Sequence, residues 1–137
     1  MTVWFVDASV LLSREDADDD QHDAARRVLS GDIPVATLDL AYYEVSNVAV
    51  RAWHDLDAAR RLRGLVAALA DDGGLVRVAE ALVADATAIA ERHGLSVYDA
   101  AYVAGARSAG AQLVSCDLRD LVSRGLALTP EQACEAP

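Results

Sequence analysis

Four carboxylates stand in places where a carboxylate is costly. Asp7 is the only charge in residues 1–13, Glu44 the only one in 40–50, and Asp99 the only one in 97–106. Asp117 directly follows an uncharged run, 108–116. Most of the other acids lie in polar stretches. An ion taken out of water without a partner loses several kcal/mol. The chain contains no Lys, and no Arg lies within four residues of Asp7, Glu44 or Asp99; only Asp117 has one nearby, Arg119. One arrangement satisfies all four at once: a common cleft in which they share divalent cations. An all-oxygen set without a neighbouring His selects Mg²⁺ or Mn²⁺ over Zn²⁺. Taken singly, each acid has a plainer reading. Asp7 could close a strand, Asp99 could be an N-terminal helix charge, Asp117 could cap a helix, and Glu44 could be a half-exposed helix residue. The joint pattern is what points to a metal site.

Such a site requires elements that bring distant residues to one edge. Residues 3–6 form a short β-rich run ending at Asp7, and 33–36, 75–78 and 112–116 read as further strands, the last ending at Asp117. Residues 126–128 offer a last one. Asp19 or Asp20 caps a helix through Leu29, which Gly31 stops. Helices follow over 39–53, over the apolar repeat in 56–69 that Gly73-Gly74 breaks, and over 80–93, with Gly94 at its C-terminal cap. Ser96 caps a helix over 97–108, and 117–123 is a short one. Strands alternating with helices predict an α/β fold, three layers α/β/α, with a central, mainly parallel sheet. In open sheets of this kind, sites form beyond the carboxyl ends of the strands, which is where Asp7 and Asp117 fall. Asp99 lies in a first helical turn, where the macrodipole also favours an anion.

Composition narrows the function classes. The 137 residues suit a single domain, 1–137, and a chain of this size buries roughly two-thirds of its unfolded surface. Hydrophobic residues at 53% and charged residues at 25% exclude wholesale disorder. No apolar run approaches the roughly 18 residues of a membrane span, and the N-terminal stretch has no basic flank, so no signal peptide and a cytoplasmic location are expected. Cys116 and Cys134 are too few for a disulfide framework; the expectation is a core thiol and an exposed one in a polar tail. His22, His54 and His93 read as surface residues. The absence of Lys excludes Schiff-base and P-loop chemistry. A net charge of −10 argues against gripping nucleic acid by bulk charge, so any such role needs a local Arg patch or metal ions.

The segments around the four acids also resemble a known family. Phe5-Val6-Asp7-Ala8-Ser9-Val10-Leu11 resembles the opening strand motif of PIN-domain ribonucleases, and Tyr43-Glu44-Val45-Ser46-Asn47-Val48 their acidic helix. Leu95-Ser96-Val97-Tyr98-Asp99-Ala100-Ala101-Tyr102 resembles their third motif, and Leu113-Val114-Ser115-Cys116-Asp117-Leu118-Arg119-Asp120-Leu121 their fourth. Order, spacing and length look like a VapC-type toxin of a bacterial toxin–antitoxin pair. Ser115 stands where Thr is usual, and Asp120 follows Asp117 by three residues. The resemblance implies Asp7, Glu44, Asp99 and Asp117 as catalytic, metal-binding acids and an Mg²⁺- or Mn²⁺-dependent endoribonuclease. It also implies structured RNA of the tRNA or rRNA class as substrate, a homodimer, and silencing by a cognate antitoxin protein. Phosphodiester hydrolysis suits such a site, because one or two divalent ions relieve phosphate charge and activate water.

Around the acids, Ser9 could hydrogen-bond a metal-bound water, steady Asp7 or cap the next helix; Asn47, one turn beyond Glu44, could orient it, touch the phosphate or be an ordinary polar helix residue; and Ser115 could steady the metal acids or be a plain strand residue. Arg26, Arg27, Arg60, Arg61 and Arg63 are candidate RNA contacts, or solvated helix faces. The apolar faces of 39–53 and 56–69 could form a groove for a partner helix, or belong to the core. Two other classes compete. A haloacid-dehalogenase-type phosphatase also begins with an Asp after its first strand, but it wants an acid where Ser9 stands and a Lys that is absent. A catalytically degenerate PIN-like binding or regulatory module is the second.

Overall fold

The computed structural model describes residues 1–135. Four parallel strands form one sheet in the order β3-β2-β1-β4: β1 (Trp4–Val6), β2 (Val35–Leu38), β3 (Leu75–Val76) and β4 (Gln112–Val114). Side chains alternate across it, as the pleat demands. Trp4, Val6 and Val114 enter one core with α1 (Ala8–Glu15), α2 (His22–Ser30), α3 (Ala41–Arg51), α4 (Leu56–Asp71) and α7 (Pro130–Glu135). Phe5 and Leu113 enter the other, with α5 (Glu80–His93) and α6 (Val97–Ser108). This is the expected three-layer α/β/α arrangement.

Two glycines serve the second layer. Gly94 ends α5 with φ 66°, the left-handed conformation its C-terminal cap requires. At Gly105 an added Cβ would lie 2.8 Å from the Phe5 ring, so α6 sits close on the sheet because that position has no side chain.

Several expectations need correction. Strand β2 lies two residues later than expected, over Val35–Leu38. Pro34 has no N–H to pair, and buried Thr37 continues the strand because its hydroxyl donates to Val6 O at 2.7 Å. Helix α1, for which the sequence suggested only a cap at Ser9 and no range, starts immediately after β1, with Asp7 as its N-cap. The segment 126–128 is no strand: it makes a single parallel bridge, Leu128 to Val114. The C-terminal tail holds α7, so Cys134 is half-buried, with Sγ 3.5 Å from Ala24 O, rather than exposed. Cys116 is half-buried against the first core, and burial pushes its thiol up to about 11. His22 is tucked in, Nδ1 2.9 Å from Ser13 O. No helix among the described residues is long and apolar enough to cross a membrane.

Candidate acidic site at the carboxyl edge of the sheet

Parallel strands end on the same side, and each connection there delivers one acid. Asp7 follows β1 and is 6% exposed. Its Oδ1 accepts the Ser9 N–H at 3.1 Å and the Ser9 hydroxyl at 2.5 Å; its Oδ2 accepts the Ser115 hydroxyl at 2.5 Å. Capping α1 also aims the helix N-terminus at this carboxylate. The N-cap of α1 is Asp7 and not Ser9, and the Ser9 hydroxyl donates to that cap. Ser9 Oγ in turn accepts the Cys116 N–H at 2.9 Å, and Ser115 Oγ accepts the Asp117 N–H at 3.0 Å. Two serines thus tie the ends of β1 and β4 together around one carboxylate.

Asp117 caps a π-helical turn, Leu118–Val122, through the Asp120 N–H at 2.9 Å. That turn folds Asp120 back, and the carboxylates of Asp99, Asp117 and Asp120 offer oxygens all within 4.8 Å of one another. Asp99 reaches the group from the first turn of α6, which Ser96 caps by accepting the Asp99 N–H at 3.1 Å. Glu44 approaches from α3. Its Oε1 accepts the hydroxyl of Tyr102 at 2.6 Å, and Tyr102 is a buried residue one turn beyond Asp99 on α6. This bond crosses from one helical layer to the other at the sheet edge.

Electrostatics link the acids in sequence. Burial lifts Asp7 to about 6; its serine bonds and the Val10 N–H oppose the rise, and the charge of Glu44 adds to it. Burial also raises Glu44, against the Tyr102 bond and with the charge of Asp99. Asp99 is raised by burial and by Asp117, and further by Asp120, with the Ser96 bond opposing. Among the described residues, no ion pair reaches Asp7, Glu44, Asp99 or Asp117; the one cation in the group is exposed Arg124, 3.9 Å from Asp120. Asp39 also ends a strand, but its carboxylate is taken by the Val78 N–H at 3.1 Å.

Asn47 is exposed one turn beyond Glu44, and the two line a cleft of about 350 Å³ with Leu40, Tyr43 and Tyr98. The candidate arginines are placed elsewhere. Arg26 and Arg27 are exposed on α2; Arg60 pairs with Asp57, Arg61 pairs with Glu15 at 2.5 Å, and Arg63 is exposed on the same helix. The helix faces read as a possible partner groove are largely core: Ala41, Val45, Ala49, Ala58, Ala59, Leu62 and Val66 are buried. Two site features escaped the sequence reading. Asp120 was noted but not assigned, because its approach depends on the π-turn. Tyr102 was not singled out, although a tyrosine three residues after Asp99, in an Ala-rich helix, shares that residue's face.

The chain matches the PIN domain family over residues 4–123. No curated protein sequence matches it. Among solved structures, a chain of a toxin–antitoxin complex from Klebsiella pneumoniae is 15% identical with a TM-score of 0.68, covering 95% of this chain and 98% of that one. VapC20 of Mycobacterium tuberculosis, a sarcin–ricin loop cleaving toxin, is 24% identical with a TM-score of 0.63, covering 82% and 86%. FitAcB from Neisseria gonorrhoeae is 18% identical with a TM-score of 0.67, covering 93% and 98%.

Proposed function

We propose, from the premise that this chain belongs to the PIN domain family, that it is a metal-dependent endoribonuclease acting as a toxin and neutralised by a cognate antitoxin. The observation that carries this reading is the cluster of Asp99, Asp117 and Asp120 oxygens within 4.8 Å, continued electrostatically through Glu44 to Asp7. Several carboxylates held together at a loss, with one exposed cation at their margin, fit a divalent cation, and an all-oxygen set fits Mg²⁺ or Mn²⁺. Asp99, Asp117 and Asp120 would hold such an ion, with Glu44 and Asp7 beside them. Bound there, it would supply Lewis acidity and charge relief to a phosphodiester.

The chain's own groups do the rest. Ser9 and Ser115 fix both oxygens of Asp7, so its orientation does not depend on substrate. Held in that orientation beside the ion, the Asp7 carboxylate would be placed to accept a proton from an attacking water. Tyr102, whose hydroxyl stays protonated because burial and the acids raise it far above its ordinary value, holds Glu44 in place. The acidic surroundings repel RNA until they are neutralised, which makes divalent metal a condition of binding as well as of cleavage.

The solved structures of similar fold include toxin–antitoxin complexes and a toxin that cleaves the sarcin–ricin loop, which supports RNA of the rRNA or tRNA class as substrate and an antitoxin as partner. A homodimer, a single domain over 1–137 and a cytoplasmic location complete the proposal. The test is cleavage of ribosomal stem-loops and tRNA by purified protein in Mg²⁺, in Mn²⁺ and in EDTA. Metal-dependent cuts that vanish in Asp7→Ala are expected. Intact RNA in both metals would instead favour a degenerate PIN module that binds without cutting.

A further inference from the structure

Two tyrosines frame the acidic cluster without joining it. Tyr43 and Tyr98 immediately precede Glu44 and Asp99 in sequence, and they are 79% and 64% exposed. Large aromatic rings at that exposure are out of place on a surface otherwise rich in Ala, Arg and Asp. Both line the cleft of about 350 Å³ that also contains Leu40, Glu44 and Asn47. The cleft therefore opens beside a proposed metal acid and has aromatic and aliphatic walls, one carboxylate, one neutral amide and no cation.

We propose that this cleft receives one unpaired nucleobase of the RNA beside the scissile phosphate, stacked on Tyr43 or Tyr98 and read at its edge by Asn47. The inference rests on the nuclease reading above and adds a specificity element to it. Charge decides between the parts of a nucleotide. A phosphate entering here would meet Glu44 and no base, whereas a nucleobase is neutral, planar and carries edge donors that a carboxylate or amide oxygen accepts. Aromatic platforms bind single-stranded bases in this way with little sequence preference, because every base has a π-face. The Asn47 amide makes no hydrogen bond among the described residues, so its donor and acceptor are both free to discriminate between base edges. A chain of −10 net charge has few phosphate contacts to offer, and stacking gives it affinity that salt does not screen.

The test measures binding and cleavage of ribosomal stem-loops in Mg²⁺ and in Mn²⁺, by fluorescence anisotropy and by KM and kcat, with an otherwise identical strand carrying abasic sites in the loop. Tyr43→Ala and Tyr98→Ala should each raise Kd and KM by about tenfold with kcat little changed. Tyr43→Phe and Tyr98→Phe should stay near wild type, and the alanine variants should no longer distinguish the abasic strand. Asn47→Ala should change which base is preferred more than it changes affinity. Unchanged Kd and KM in the alanine variants of a protein that cleaves would overturn the stacking proposal and leave the nuclease standing. Tyrosine-dependent binding of uncut RNA would leave stacking standing and sink the nuclease; no binding of RNA in either metal would sink both. If the alanine variants bind RNA normally but change sedimentation, the surface belongs to contacts between copies and the proposal fails.

Discussion

Helix α1 carries a nearly buried carboxylate at each end, and the two are treated in opposite ways. Glu15, in its last turn, has a side chain 10% exposed, and it meets Arg61 at 2.5 Å and Arg14 at 3.8 Å. Asp7, at its N-cap, is 6% exposed and meets only neutral donors and, further off, another acid. The first is a closed electrostatic unit that joins α1 to α4. The second is held in orientation but left short of positive charge. Neutral hydroxyls satisfy hydrogen-bonding capacity without cancelling charge, so the carboxyl edge keeps a demand for cations that the far end has met internally. The same comparison bears on the arginines: Arg61, offered by the sequence as an RNA contact, is engaged by Glu15.

The sharpest way to break this contrast is to remove one carboxylate from each end. Asp7→Ala should lower metal-dependent RNA cleavage by at least about a hundredfold, the scale of losing one preorganised electrostatic group in a site. Glu15→Gln should leave kcat within about twofold. It should instead lower thermal stability slightly, because Arg61 and Arg14 are exposed cations that lose their common partner. Equal cleavage by Asp7→Ala and wild type, or loss of cleavage in Glu15→Gln, would erase the distinction.

Protonation gives the next largest effect. The Asp7 carboxyl rises from 3.8 to about 6 on folding, so between those values the folded chain holds more proton than the unfolded one. Stability contributed by Asp7 must therefore fall as pH rises from about 4 to 6, by up to about 3 kcal/mol, and stay low above 6. Urea melts of metal-free wild type should show that decline. Asp7→Asn should flatten it, at the cost of some hydrogen-bond strength to Ser9 and Ser115. Equal slopes for wild type and Asp7→Asn through this window would mean that Asp7 does not titrate between those values.

Metal should then close the gap between the two ends. Saturating Mg²⁺ or Mn²⁺ at about a hundred times its Kd should stabilise the protein by about 2.7 kcal/mol near pH 7 through binding to the folded state alone. Asp99→Asn should lose most of that response while melting higher than wild type in EDTA, since it removes one of the mutually repelling charges. Equal metal-induced shifts in the two proteins would place the ion elsewhere.

The alternation of strands and helices was legible because apolar runs and caps such as Gly94 and Ser96 act locally. The four lone carboxylates were legible because their sequence neighbours could not neutralise them. What escaped has a common cause: it depends on partners distant in sequence. Thr37 reads as the end of a strand until Val6 O takes its hydroxyl, and the tail reads as polar until α7 rests on α2. Asp120 joins its neighbours only because the chain after β4 winds into a π-turn, with the Val122 N–H reaching Asp117 O at 3.0 Å. The pairing of Arg61 with Glu15 spans 46 positions, so no local pattern could separate it from a free RNA contact.

The finest test concerns Tyr102, the one neutral donor that orients an acid from the opposite helical layer. Tyr102→Phe keeps the buried ring and removes only the hydroxyl that Glu44 accepts at 2.6 Å. If Glu44 acts as an anion beside a cation, the loss has a signed consequence. The Tyr102 bond lowers the Glu44 carboxyl, so without it burial and the charge of Asp99 act unopposed and Glu44 binds its proton more tightly. The acidic limb of the pH–activity profile must then move to higher pH, while activity well above that limb falls only a few-fold from looser positioning of the carboxylate. A merely structural hydroxyl would behave differently. Its removal would cost about 1–2 kcal/mol in stability and leave the limb in place. Phe at 102 thus separates a residue that poises the acidic edge from one that only packs against it, and an unmoved limb would assign Tyr102 to packing.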